Sequence, residues 1–311
     1  MTAVPFVAAW RAGLHLRPRW DPRHPTVRAL ARPGAWAAGY LALNQLLIAV
    51  TLVLANHVAG GVVAYQIAYT FFLLPYAVLA QPVMTALFPR LSSDAVADRW
   101  QRFSSTVTSG LRLIAFLVLP ATALMAALAR PALQVMQLGA LDAAGAELVA
   151  RVVAAYSLGL IGWSALQLLT RASYAAHDTR TPTLVAAGLT VLGSGLMLWW
   201  FSRSTGDGRV VVLGLATSTA MIAGAAALLV LLARHIRRAL PVGASLARSV
   251  GCAAAAYGAA RLAVEVLPSG SRAEAGLTLV VGAALAVAVY AGLQWVARAP
   301  EFKGITSEVA A

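Results

Sequence analysis

The chain has 311 residues, of which 60% are hydrophobic and 11% charged, and its 24 lysines and arginines against 11 acids give a formal charge of +13. So apolar a chain is not a soluble fold, and its basic residues sit on connections too short to form a domain that could present a nucleic-acid-binding face. One cysteine, Cys252, and five histidines on separate segments (His15, His24, His57, His177 and His235) exclude a disulfide framework and an HExxH zinc site, so no metal or other cofactor is expected.

Residues 2–10 form a short apolar run without a basic leader, which reads as the last turns of a preceding membrane helix rather than a signal peptide. Residues 11–32 are basic and broken by Pro18, Pro22 and Pro25, and read as a cytoplasmic loop with an amphipathic piece on the membrane surface. Eight apolar runs follow, at 33–57, 61–89, 108–129, 146–171, 183–202, 210–233, 244–266 and 275–297. Each has the roughly 20 residues that a helix needs to cross a hydrocarbon core of ~30 Å. The expected fold is therefore an all-α polytopic membrane protein with eight transmembrane helices.

The first span holds Asn44 and Gln45 near its centre, and the short link at Gly60-Gly61 predicts a tight antiparallel hairpin with the second. The second span contains Pro75 and Pro82 and ends at Pro89. Each internal proline removes a backbone donor and disturbs the bond to the carbonyl four residues earlier, here Phe71 and Val78. Gln66, Thr70 and Gln81 lie on the same helix. Two readings stand: a kinked structural helix whose polar groups bond to neighbours, or a broken helix lining a polar cavity, as in transporters.

A cytoplasmic loop of about twenty residues should follow, with Asp94 and Asp98 facing Arg99 and Arg102 on a surface helix. Span three carries Pro120, a further kink site, and an outer loop at 130–145 includes Asp142. Span four should run roughly from Glu147 to Arg171 and lead into Asp178-Thr179-Arg180-Thr181-Pro182, where Thr181 can cap the next helix with Pro182 at its first position. Spans five and six meet at the polar turn Ser202–Arg209. The basic segment Arg234–Arg238 then separates a six-helix lobe (33–240) from a C-terminal helix pair (241–300), whose alanines allow close helix approach. Arg261 and Glu265, four apart, should pair. The remaining units are the basic loop at 1–32, with the end of a preceding helix, and a cytoplasmic tail at 301–311.

Eighteen of the 24 basic residues fall on the side that holds both termini, and by the positive-inside bias that side is cytoplasmic. For most of these arginines topology and anionic-lipid contact suffice as a role. The acids are single and far apart, so no acidic metal cluster of a membrane transferase exists and an enzyme is not expected. No carboxylate or histidine lies at mid-membrane to couple transport to protons or sodium.

Two segments carry a family resemblance. Tyr69-Thr70-Phe71-Phe72-Leu73-Leu74-Pro75, continuing through Thr85-Ala86-Leu87-Phe88-Pro89-Arg90-Leu91-Ser92, resembles the eighth helix of MviN/MurJ-type lipid II flippases, with its proline bend and its T-x-L-x-P-x-L-S ending. Tyr156-Ser157-Leu158-Gly159-Leu160, with Arg171 to Pro182 in the pattern R-x-x-Y-A-x-x-D-T-x-T-P, is similar to that family's tenth helix and following loop. The resemblance covers essentially the whole chain, aligned to helices seven to fourteen of a fourteen-helix protein. It implies two six-helix lobes around a cavity, of which this chain carries the second together with the two extra helices. Such proteins move undecaprenyl-pyrophosphate-linked peptidoglycan precursor across the cytoplasmic membrane by alternating access, and their last two helices border a groove suited to the lipid tail.

Partners would be lipid II, membrane lipids, and proteins of cell-wall synthesis and division, with no nucleic acid. Asn44, Gln66, Thr70 and Gln81 are the expected cavity lining. Arg171, Asp178 and Arg180 would stand at the cytoplasmic mouth, as gate or as helix cap, and Pro75, Pro82 and Pro120 would bend helices. One departure is visible: relatives often carry an arginine five residues before the bend proline, where this chain has Thr70. The open alternatives are another exporter of the same superfamily, for O-antigen-type lipids or drugs, and a membrane scaffold that does not transport.

Overall fold

The computed structural model describes residues 25–136, 143–267 and 271–298. The expectations for residues 2–24, Asp142 and the 301–311 tail lie outside these. Among the described residues the chain is helical throughout, without a strand: α1 Pro25–Ala55, α2 Gly61–Pro75, α3 Gln81–Val96, α4 Trp100–Val135, α5 Ala143–Ser157, α6 Leu160–Ala175, α7 Arg180–Arg203, α8 Gly208–His235, α9 Gly243–Val266 and α10 Arg272–Val296. A π-helical turn, Tyr76–Ala80, joins α2 to α3 and breaks the regular α-helical bonding between them.

Among the described residues six helices are long and apolar enough to cross a membrane, and seven if α5 and α6 form one bent span. The expected seventh span, α9, falls short on apolarity: its core is alanine, and it carries Arg248, Arg261 and Glu265. Three other expectations change. Within the described residues α1 runs from Pro25 on through Pro33, so residues 25–32 are helical rather than loop. It packs mainly along α7 and not along α2, so the first two spans do not form the hairpin that their short link suggested. The loop with a surface helix expected after Pro89 is instead a turn at Ala97–Arg99 between the ends of two long helices, with Arg99 Nε on Asp94 Oδ1 at 2.9 Å. The α2–α3 unit and α4 are 36 residues each, roughly 54 Å at 1.5 Å per residue, and so project beyond the bilayer.

Span four is not one helix. Helices α5 and α6 meet at 44° across Leu158-Gly159. Gly159 N bonds Tyr156 O at 2.9 Å, three residues back, and the Ala155 carbonyl that it would serve in a regular helix accepts instead from Ser218 Oγ on α8 at 2.8 Å. A side chain at Gly159 would stand 2.9 Å from Ser218 Cα, and one at Gly162 2.7 Å from Ile222 N, so the backbones of α6 and α8 touch. The break is thus held by α8, more than fifty residues away in sequence.

Threonines join α7 to α1. Thr183 Oγ1 lies 2.8 Å from Trp36 O and Thr190 Oγ1 3.2 Å from Leu43 O, a seven-residue repeat on both helices. The main core gathers α2, α4, α5, α6 and α8 around Phe72, Phe103, Tyr156, Leu168 and Leu213. A second, smaller core packs Phe116, Leu119 and Ala123 of α4 against Ala253, Ala256 and Ala260 of α9 and Ala286 and Tyr290 of α10. At its edge Tyr290 Oη donates to Phe116 O at 2.9 Å. Phe116 is the carbonyl four residues before Pro120, so α4 continues through this proline with a side chain from α10 in place of the missing amide. Arg261 and Glu265 pair at 3.5 Å, as their spacing predicted.

Candidate functional site

The broken helix presents two unlike faces. Helix α2 buries Ala64, Tyr65, Ala68, Phe72 and Pro75 against the lobe, with Tyr65, Tyr69 and Phe72 ranged beside Tyr156 of α5. On the opposite side Gln66, Thr70, Gln81 and Thr85 are all exposed. At Pro75 the regular bonding gives way: Tyr76 N reaches Leu73 O, three residues back, and Gln81 N reaches Tyr76 O, five back. The extra residue held in this wide turn absorbs both prolines, with Pro82 in the first turn of α3 where no intrahelical donor is needed.

Gln66 and Thr85 are nineteen residues apart, roughly 28 Å along the axis, which is close to the whole hydrocarbon thickness. Thr70 Oγ1 donates to Gln66 O at 3.0 Å and Thr85 Oγ1 to Gln81 O at 2.9 Å, so the two hydroxyls satisfy their helix. The Gln66 and Gln81 amides have no hydrogen-bond partner among the described residues. An amide facing hydrocarbon without a partner costs about 4–8 kcal/mol on a cyclohexane scale, so a lipid-facing stripe with two of them is physically poor. Ala77, Gln81, Pro82, Thr85 and Ala86 line an open hollow of about 560 Å³ on this face. The four residues form two neutral polar patches, Gln66 with Thr70 and Gln81 with Thr85, on either side of exposed Leu74 and Val78.

The structure brings Gln66, Thr70 and Gln81 together along one face and sets Asn44 apart from them. Asn44 Nδ2 donates to Tyr40 O at 2.9 Å, one turn back on α1. It lines a cavity of about 230 Å³ with Thr51, Tyr69, Tyr156, Trp163 and Gln167, in which Tyr40 Oη donates to Gln167 Oε1 at 2.8 Å. The Trp163 Nε1–H is buried there with no partner. Thr85, Tyr40, Trp163 and Gln167 were absent from the sequence-derived lining. Thr85 had a signal, its four-residue spacing from Gln81; the other three lie on helix faces whose neighbours only the fold reveals.

At the other end of α7, Asp178 Oδ1 accepts from Arg180 N at 3.1 Å and Thr181 N at 3.0 Å. Asp178, and not Thr181, therefore satisfies the first amides of α7. Its Oδ2 stands 3.9 Å from His235 Nδ1 at the end of α8, so one carboxylate joins the ends of α6, α7 and α8. Arg180 turns away over the Trp36 ring, 5.7 Å from its centroid, and Arg171 makes no ion pair among the described residues. These three residues share one end of the bundle, and the cap role of Asp178 accounts for its geometry. At the far end the Trp199 and Trp200 rings lie 6.3 Å apart, with Arg203 over Trp199 at 4.3 Å and Arg209 over Phe201 at 5.0 Å. Among the described residues no three histidine, cysteine or acidic side chains converge to hold a metal.

Comparison with known proteins gives a consistent picture. Residues 1–273 match the family model described as "Lipid II flippase MurJ". The chain is 28% identical over 207 residues to a probable lipid II flippase MurJ of Synechocystis, covering 65% of this chain and 38% of that protein. It is 26% identical over 229 residues to a probable lipid II flippase MurJ of Vibrio cholerae, covering 71% and 41%. A solved structure of a lipid II flippase MurJ in an inward closed conformation superposes with a TM-score of 0.70 at 19% identity, over 94% of this chain and 59% of that one, a likeness of fold. The chain thus spans about two fifths of the length of the relatives it matches.

Proposed function

We propose, for a chain that belongs to the MurJ family of lipid II flippases, that the polar stripe of α2 and α3 is one wall of a transport cavity for undecaprenyl-pyrophosphate-linked peptidoglycan precursor. The chain is a multi-pass bacterial membrane protein. In this reading it lies in the cytoplasmic membrane with both termini cytoplasmic, and α9 crosses the bilayer with the other spans to make eight. The 33–240 lobe faces a partner lobe of the kind present in longer relatives, and the 241–300 pair stands against α4. Transport proceeds by alternating access, with no chemical step on the substrate.

The observation that carries the reading is the exposed stripe Gln66, Thr70, Gln81 and Thr85, two polar patches spaced over the depth of a membrane about Leu74 and Val78, on a helix that two prolines keep from regular bonding. The amides and hydroxyls can exchange hydrogen bonds with a hydrated sugar–pyrophosphate headgroup. With threonine at position 70, the cations for the pyrophosphate come from elsewhere around the cavity. The test is exposure of lipid-linked precursor on the outer face of a flippase-depleted bacterium, read with an externally added enzyme that cleaves it. Co-expression of this chain with the first six helices of a relative should restore exposure, and the double change Gln66→Leu with Gln81→Leu should abolish it at unchanged protein level. No exposure from a stable, membrane-inserted pair would contradict the proposal.

A further inference from the structure

A second cavity lies away from the polar stripe and shares no residue with α1, α2, α3 or α10. It is a groove of about 330 Å³ walled by α4, α6, α8 and α9, apolar except for Arg112. Ile222, Leu246 and Val250 are 46%, 38% and 47% exposed at its lip, so it opens to the surroundings of the bundle. Its walls extend from Ile161 to Leu169 on α6 and from Ile222 to Leu229 on α8, which is roughly 10–12 Å of helix axis. Arg112 stands among the residues at the end where α8 closes and α9 begins, and its Nη2 donates to Pro241 O at 2.6 Å. Its Nε is buried without a partner, and no carboxylate lies within 4 Å among the described residues. Arg237 and Arg238 lie on the same connection as Pro241, and Arg234 in the last turn of α8, all three exposed.

The geometry points to a binding site for one anionic phospholipid of the adjoining leaflet, with an acyl chain in the groove and its phosphate on Arg112. Each feature fits that chemistry. The length and lining match a stretch of hydrocarbon chain, the half-buried Arg112 guanidinium has Nη donors beyond its bond to Pro241 O, and the surrounding arginines raise the local concentration of anionic headgroups. A zwitterionic lipid would fill the groove but gain less at the rim, and a free phosphate would leave the apolar walls empty. Under the orientation proposed above this leaflet is the cytoplasmic one, though the site itself does not depend on that assignment. Nor does it depend on transport, because it is read in the purified chain.

The test is native mass spectrometry of the chain in detergent, titrated with dioleoyl phosphatidylglycerol or dioleoyl phosphatidylcholine. We expect one tightly retained phosphatidylglycerol, bound about tenfold more tightly than phosphatidylcholine. Arg112→Gln should remove the preference. Ala226→Phe, at an exposed position on the groove wall, should remove retention while leaving the helical circular dichroism unchanged. Arg203→Gln, at the opposite end of the bundle, should change nothing. Equal retention of the two lipids by the unmodified chain, or undiminished retention in Ala226→Phe, would overturn the assignment. Displacement of phosphatidylglycerol by equimolar undecaprenyl phosphate would also overturn it, by giving the groove to the transported class of lipid.

Discussion

Removing the Tyr290 hydroxyl tests how α4 passes through Pro120. Tyr290 Oη donates to Phe116 O at 2.9 Å and accepts from Gln294 Nε2 at 3.0 Å; Gln294 is itself fully buried and donates to Ser249 Oγ at 3.1 Å. Tyr290→Phe keeps the ring, which packs on Phe116 at 5.7 Å, and deletes both bonds. A single interhelical hydrogen bond in a membrane averages about 0.6 kcal/mol, and a buried polar group that loses its partner costs about 1–3 kcal/mol. Two bonds on one hydroxyl therefore predict a loss of about 1–1.5 kcal/mol, measured by detergent-denaturant titration followed through tryptophan fluorescence. The informative step is the double-mutant cycle with Pro120→Ala. Alanine returns an amide that can serve Phe116 O, so the cost of Tyr290→Phe in that background should fall to about 0.5 kcal/mol. The same cost in both backgrounds would refute the claim that the tyrosine stands in for the amide missing at Pro120.

Three further outcomes follow from the geometry. Gly162→Ala places a methyl 2.7 Å from Ile222 N and 2.8 Å from the Met221 carbonyl carbon, so α6 and α8 must separate, at a cost of about 1–3 kcal/mol in the same titration; an unchanged midpoint would deny that close approach. His177 holds a left-handed conformation (φ +60°) at the end of α6, a position that glycine fills without strain. His177→Gly should therefore stabilise by about 0.5–1 kcal/mol and His177→Ala should not. Cysteine probes read topology: an impermeant thiol reagent applied outside intact cells should label Gly206→Cys and not Ser93→Cys, and the reverse pattern would invert the proposed orientation.

What the sequence made legible was whatever is written in local pattern. Apolar length identified the long helices, and Pro75 and Pro82 located the break in the second span, since a missing donor is a property of the residue itself. The stripe of Gln66, Thr70 and Gln81 also held together, because three polar groups on one apolar helix have few places to go. The bend at Gly159 was hidden: its cause is Ser218, whose hydroxyl takes the Ala155 carbonyl across the lobe. The polar segment after Pro89, expected as a loop with a separate surface helix, belongs to the long helices α3 and α4. There Ser104, Ser105 and Thr108 turn their hydroxyls back onto carbonyls three or four residues earlier, so polarity costs the helix little. Asn44 illustrates the limit of reading a single polar residue. Its helix is the expected one, but the pairing of α1 with α7 sets it in an internal cavity of tyrosines rather than on the stripe.

The face of the broken helix is the central claim, and water at Thr70 is its most direct measure. Cys252 is the one native cysteine and is buried, so replacing it by alanine leaves a background free of thiols for single probes. In membranes holding this chain together with the first six helices of a relative, Thr70→Cys and Gln81→Cys should react with a water-soluble maleimide, and added lipid II should slow both. Leu198→Cys, on the exposed apolar side of α7 and 57% exposed, should react only with a lipid-soluble reagent. If Thr70→Cys behaved like Leu198→Cys, refusing the water-soluble reagent in a folded protein, the stripe would face lipid and the cavity wall assigned to α2 and α3 would be wrong.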